Sequence, residues 1–243
     1  MNNGYIAVLD SGIGGLTCII EAAKSLYGER FLYLGDNKNV PYGNKTREEL
    51  YLLAQKNISA ILKYNVKAII VGCNTLSLSV LPLIAPTLNV PIFGVYPPID
   101  EKQGKTALFA TPVTCKYFAE TKGMRIFPLL GLASDIEKHK NDLNAVNLVN
   151  HIEKSADDFA PDTVILGCTH YNFIKKQFIV HFCPRKICSG ERGTVKNLRD
   201  YLVLNDLVAK CQDFTVDFIG EKSEDNFYFY KSVVKDMLIC EKK

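Results

Sequence analysis

The chain has 243 residues, 47% of them apolar and 23% charged, a composition close to the globular average that excludes intrinsic disorder and supplies a sizeable core. Its 29 Lys and Arg against 26 Asp and Glu leave a net charge of +3 with no block of one sign, too weak a balance to imply a nucleic-acid or anionic-membrane partner, and none is expected. No apolar run approaches the ~18 residues of a membrane span, and Met1-Asn2-Asn3-Gly4 lacks the basic stretch of a signal peptide.

In chain order, Tyr5–Leu9 reads as a strand, and Leu16, Ile19, Ile20, Ala23 and Leu26 then recur at helical spacing. Phe31–Leu34 is a second strand. Thr46 and Glu49 form a capping-box pair that starts a helix near Thr46. Ala68–Val71 is a buried strand, followed by a helix that Pro82 shortens, and Val90–Val95 is the next strand. Tyr96-Pro97-Pro98 then breaks the alternation. Beyond it come a strand at Thr106–Ala110, a helix from near Thr114, a strand at Asp162–Leu166 and a helix from about His170. Thr215–Ile219 and a helix from about Glu224 close the chain. Alternating strands and helices predict an α/β fold of two similar lobes, each a mostly parallel sheet flanked by helices and related by a pseudo-two-fold. Residues 1–95 with 190–243 form the first lobe in this reading, and 96–189 the second.

Eight Cys stand at 18, 73, 115, 168, 183, 188, 211 and 240, scattered as reduced cytosolic thiols rather than as a disulfide framework. Two of them are matched. Gly72-Cys73-Asn74-Thr75 and Gly167-Cys168-Thr169-His170 each follow a buried strand and open a helix. Ligands of open α/β sheets bind at such carboxyl ends, and a helix N-terminus favours thiolate. Two thiols on two similar lobes fit inversion of a stereocentre, one removing a proton and the other returning one from behind. Asp10-Ser11-Gly12-Ile13-Gly14-Gly15 is a third strand-to-helix junction, without the spacing of a nucleotide loop. Its Asp10 caps the turn, partners a proton or holds a substrate ammonium. His181, Cys183 and Cys188 do not form a zinc pattern, and no metal is expected. Cys18, Cys115, Cys211 and Cys240 read as packing residues, and Asp36 as a turn residue.

Asp10-Ser11-Gly12, Gly14-Gly15-Leu16, Gly35-Asp36, Pro41-Tyr42-Gly43, Cys73-Asn74-Thr75, Thr111-Pro-Val-Thr114 and Leu166-Gly167-Cys168-Thr169-His170-Tyr171 together resemble glutamate racemase, in the family's order and over nearly the whole chain. The resemblance implies a cofactor-independent racemase with Cys73 and Cys168 as the two bases, Cys73 serving the D-enantiomer. Asp10 would support Cys73, and His170 would support Cys168. Ser11, Tyr42, Gly43, Asn74, Thr75, Thr114 and Thr169 match positions that hold the amino acid. It further implies D-glutamate supply for peptidoglycan, a bacterial cytoplasmic setting and a homodimer.

Two departures bear on substrate preference. Gly94-Val95-Tyr96-Pro97-Pro98 lacks the family's Glu, and Asp135 occupies the position of a second Glu, one methylene shorter. Three alternatives stand beside the racemase: the same chemistry on aspartate or a related acid, a Cys–His hydrolase using Cys168 and His170, and a non-enzymatic amino-acid-binding relative.

Overall fold

The computed structural model describes residues 3–209 and 213–240, with side chains through 233, so Cys211 and the Cys240 side chain lie outside the described residues. The strands are β1 (Tyr5–Asp10), β2 (Arg30–Gly35), β3 (Val66–Val71), β4 (Ile92–Gly94), β5 (Thr106–Ala110), β6 (Arg125–Pro128), β7 (Thr163–Gly167), β8 (Lys186–Ser189) and β9 (Thr215–Ile219). They form two sheets, β4-β3-β1-β2-β9 and β6-β5-β7-β8, with every pairing parallel. Parallel strands covered on both faces have no solvent side to alternate with. Accordingly Ile6, Ala7, Val8 and Leu9 are all fully buried, as are Ala107 through Ala110.

The two-lobe α/β architecture expected from the sequence is therefore present. Thr46 caps the Arg47–Ile61 helix with the full reciprocal pair, its hydroxyl accepting from the Glu49 amide while Glu49 accepts from the Thr46 amide at 2.7 Å. The helix after Cys73 ends at Ser79 and resumes as Leu81–Ile84 around Pro82.

Some local expectations shift. The helix expected near Thr114 begins at Pro112, because Thr111 is its N-cap and accepts from the Thr114 amide at 3.3 Å. The segment after Cys168 is first a 3-10 turn, Thr169–Ile174, before the Lys175–Phe182 helix. β6 and β8 were not expected. Both are four-residue edge strands of the second sheet, only partly buried, which removes the apolar signal a central strand carries. The chain passes from the first sheet to the second through Val95–Pro98, and returns through Gly190 into the Glu191–Leu204 helix, which packs on the Leu16–Ala22 helix.

Candidate active site

The carboxyl ends of strands from both sheets face a common space, as the topology of open α/β sheets dictates. Cys73 follows β3 and Cys168 follows β7, and both line one pocket with Ser11, Tyr42, Gly43, Asn74, Thr75, Thr169 and His170. Nine of the expected site residues are thus brought together. The pocket is nearly closed: the thiols are 8% and 7% exposed, and the free space is about 10 Å³, room for about one water. The larger cavity of about 520 Å³ lies at the lobe crossovers, beside Tyr96, Asp100 and Asn197, and neither thiol reaches it. The Tyr96-Pro97-Pro98 departure is at that cavity, outside the thiol pocket.

Two expected residues stand just behind the wall. Asp10, at the end of β1, is fully buried, and its Oδ2 accepts from the Gly12 amide at 3.2 Å. Thr114 joins a hydroxyl cluster instead of lining the pocket, with Thr75 Oγ1 at 3.3 Å and Thr111 Oγ1 at 3.1 Å. Thr111, which does line it, is the member the sequence reading passed over, although its place before Pro112 marks an N-cap. Tyr42 is held from behind: its hydroxyl donates to Asp36 Oδ2 at 2.6 Å, and Asn39 and Asn57 donate to the same carboxylate. Asp36, expected as a turn residue, is a buried anchor for the Tyr42–Gly43 turn.

Glu137 is the candidate site residue that sequence reasoning missed. It lies four residues after the pocket residue Ala133, on the same face of the Leu132–Lys138 helix. Its Oε1 is 2.7 Å from His170 Nε2 and accepts from the Ile13 amide at 2.7 Å. A Cβ at Gly12 would lie 1.8 Å from that oxygen, so any side chain there would displace the Glu137 carboxylate from His170 and Ile13. Asp135, the expected carboxylate, faces elsewhere. Its oxygens meet His151 Nε2 at 3.2 Å and His139 Nδ1 at 3.0 Å. Two residues along a helix turn the side chain by about 200°, so Asp135 and Glu137 cannot share a target.

The neighbours of the two thiols differ. Burial alone would hold His170 neutral, but Cys168 Sγ, 3.8 Å from Nδ1, and Glu137 at Nε2 outweigh it and push the imidazole pKa well above its ordinary value. Glu137 is drawn below its usual range, with His170 and the Ile13 amide overcoming the cost of burial. Around Cys73 the balance runs the other way. Burial and then Asp10 push its thiol upward, against the backbone N–H groups of Leu76 and Thr75. The expected downward shift is not found there, because the six-residue Asn74–Ser79 helix supplies too little field to offset desolvation beside a carboxyl group. Asp10 itself is raised by burial.

Asp10 Oδ1 and Asn74 Oδ1 are buried acceptors without a hydrogen-bond partner among the described residues. The described residues contain no cluster of three metal-binding side chains. No helix among them is long and apolar enough to cross a membrane.

No protein-family model matches the chain. It is 32% identical to the glutamate racemase of Clostridium acetobutylicum over 86% of this chain and 88% of that protein. It is 37% identical to the glutamate racemase of Clostridium novyi over 82% and 84%. Among solved structures it is similar to glutamate racemase from Thermus thermophilus in complex with beta-chloro-D-alanine, with a TM-score of 0.78 and 28% identity, covering 94% of this chain and 93% of the other.

Proposed function

This chain belongs to the glutamate racemase family and is an isomerase, and we propose that it interconverts L- and D-glutamate by moving a proton between two thiols across Cα, without a cofactor. The observation that carries this reading is that Cys73 and Cys168, from loops of separate sheets, wall one pocket. Glutamate enters between a lobe of residues 1–95 with 190–243 and a lobe of residues 96–189. A free space of about 10 Å³ requires the lobes to part for entry and to close over the substrate, excluding water from the carbanion.

Ser11, the Tyr42–Gly43 turn, Thr75 and Thr169 hold the carboxylates, with Thr114 bracing Thr75 from behind. The ammonium meets Asn74, with Asp10 just behind it; the Oδ1 atoms of both lack donors among the described residues, and a buried acceptor left so is costly, which a nearby cation relieves. Cys168 takes the Cα proton of L-glutamate, the bonding pair stays as a carbanion stabilised by the fixed polar groups around the α-carboxylate, and Cys73 gives its proton to the opposite face. D-glutamate runs the reverse course. The His170 cation faces Cys168 Sγ, while burial and Asp10 keep the proton on Cys73. Asp135 is outside the pocket, so its shorter side chain gives no argument for aspartate. A hydrolase built on Cys168 and His170 leaves Cys73 without a role. By the family likeness, the D-enantiomer feeds peptidoglycan in a bacterial cytoplasm and the chain works as a homodimer.

The test is incubation with L-glutamate in deuterated water without added cofactor. D-glutamate carrying deuterium at Cα is expected, with Cys73→Ser and Cys168→Ser each abolishing turnover. Single variants that racemise as fast as the parent overturn the scheme.

A further inference from the structure

Behind the Cys168 loop lies a buried carboxylate to which the two-thiol scheme gives no task. Glu191 is the first residue of the Glu191–Leu204 helix, where the chain returns from the second sheet to the first, and it is 6% exposed. Its Oε1 accepts from Asn172 Nδ2 at 2.9 Å and lies 3.4 Å from Thr17 Oγ1. The two partners stand on opposite sides of the lobe boundary. Asn172, in the turn after Cys168, also donates to Thr169 O at 3.2 Å. Thr17, in the helix after the Asp10 loop, gives its single hydroxyl proton to Gly14 O at 2.8 Å and so meets Glu191 by contact alone. One carboxylate oxygen therefore reaches the Cys168–His170 loop through Asn172 and the Asp10–Gly15 loop through Thr17.

Those two loops touch with no room to spare. A Cβ on Gly14 would lie 2.4 Å from Thr169 Oγ1 and 2.6 Å from His170 Nδ1. The placement of Cys168 relative to the Asp10 side of the pocket is thus set where Glu191 braces the contact from behind. Burial pushes the Glu191 carboxyl upward, opposed by Ser189, its own backbone and Thr17. An aliphatic side chain would occupy this space without that desolvation cost. What the carboxylate adds is a fixed acceptor for Asn172 that is seated against Thr17 of the other lobe.

We propose that Glu191 is a positioning residue that holds the Cys168–His170 loop against the Asp10–Gly15 loop, and so fixes the approach of the Cys168 sulfur to the substrate Cα. The proposal rests on the racemase reading for the meaning of that approach. Displacement of a reacting group by about 1 Å costs on the order of 10²-fold in rate.

Alkylation by iodoacetamide, read peptide by peptide with mass spectrometry, compares Cys168 with Cys73 in the same molecules. In Glu191→Ala the Cys168:Cys73 labelling ratio rises severalfold, whereas general loosening of the fold raises both sites together. Alongside it, kcat falls about tenfold or more while KM moves by less than about threefold. Glu191→Gln keeps an acceptor for Asn172 and restores the parent ratio and rate. Asn172→Ala reproduces Glu191→Ala, and the double variant is no worse than either single one. An unchanged labelling ratio in Glu191→Ala overturns the proposal, as do additive losses in the double variant. Should Glu191→Ala fail to fold, Asn172→Ala gives the same comparison. The labelling ratio needs no turnover, so a parent chain that leaves the glutamate Cα proton in place sinks only the functional reading.

Discussion

One oxygen of Glu137 sits 2.7 Å from His170 Nε2 and 2.7 Å from the Ile13 amide nitrogen, joining the helix after β6 to a loop from each sheet. Through the imidazole it acts on Cys168, whose sulfur faces the other ring nitrogen. Among the described residues the Cys73 side has no such relay, so the two proton transfers of the proposed scheme depend on different neighbours.

That asymmetry predicts how Glu137→Gln fails. Without the carboxylate charge the His170 pKa falls, and Cys168 loses the cation beside it. Because enantiomers are equally stable, kcat/KM falls by one factor in both directions, expected at about 10²-fold. The isotope effects are free to differ. Deuterium at Cα of L-glutamate, which passes to Cys168, shows a larger primary effect in the variant. Deuterium on D-glutamate, which passes to Cys73, shows no increase. Competitive and direct isotope measurements on the two labelled enantiomers check this, and equal increases would remove Glu137 from the Cys168 side.

The same pair predicts a pH window for stability. His170 is raised in the folded chain, so its contribution is complete below the unfolded value of about 6.5 and is lost as pH rises through the folded value. Glu137 is lowered, so its contribution is complete above about 4.3 and is lost as pH falls through the folded value. The difference in melting temperature between the parent and His170→Asn is therefore widest between about pH 4.3 and 6.5 and narrows on the alkaline side. Removing one partner of a buried pair costs on the order of 3–5 kcal/mol. A difference independent of pH would mean that the pair is not charged in the fold.

A second buried pair predicts stability without activity. Glu29 Oε2 lies 2.6 Å from Lys67 Nζ, with side chains 1% and 8% exposed, and Glu29 Oε1 accepts from the Ala209 amide at 2.8 Å. These groups stand at the amino ends of β2 and β3, a strand length of about 20 Å from the thiol end. Glu29→Gln is expected to lower unfolding free energy by about 3 kcal/mol in urea and to leave kcat and KM of the folded protein unchanged. A change in kcat at constant stability would contradict this separation.

The legible parts of this fold are those written locally. Thr46 and Glu49 are three residues apart and cap one helix, and each Gly-Cys junction lies within one strand-turn unit. The meeting of the two thiols follows from a rule of sheet topology, while Tyr42 and Gly43 were reachable only through the family resemblance. Glu137 was reachable by neither route, because its partner is 33 residues away and only the helical register after β6 decides which carboxylate faces inward. Asp135 was the nearer match by motif, yet it is taken by His151 and His139. β6 and β8 escaped notice because edge strands of four residues, one of them holding Arg125 and Pro128, carry little apolar pattern.

Gly14 offers the last prediction, on the contact between the two loops. Its backbone lies so near Thr169 and His170 that an added Cβ would stand 2.4 Å and 2.6 Å from their side-chain atoms. Neither neighbour yields easily: His170 is held at Nε2 by Glu137, and Thr169 is 1% exposed. Gly14→Ala must therefore push the Asp10 and Cys168 loops apart by several tenths of an ångström or more. A closed pocket of about 10 Å³ then loses its register, and turnover falls by on the order of 10²-fold. Tyr33, whose hydroxyl donates to Gly12 O at 2.6 Å, still anchors the loop from the first sheet, so the far-ultraviolet spectrum stays that of the parent. Steady-state racemisation followed by circular dichroism checks the prediction, and parent-like kcat in Gly14→Ala would mean that the two loops move independently during the reaction.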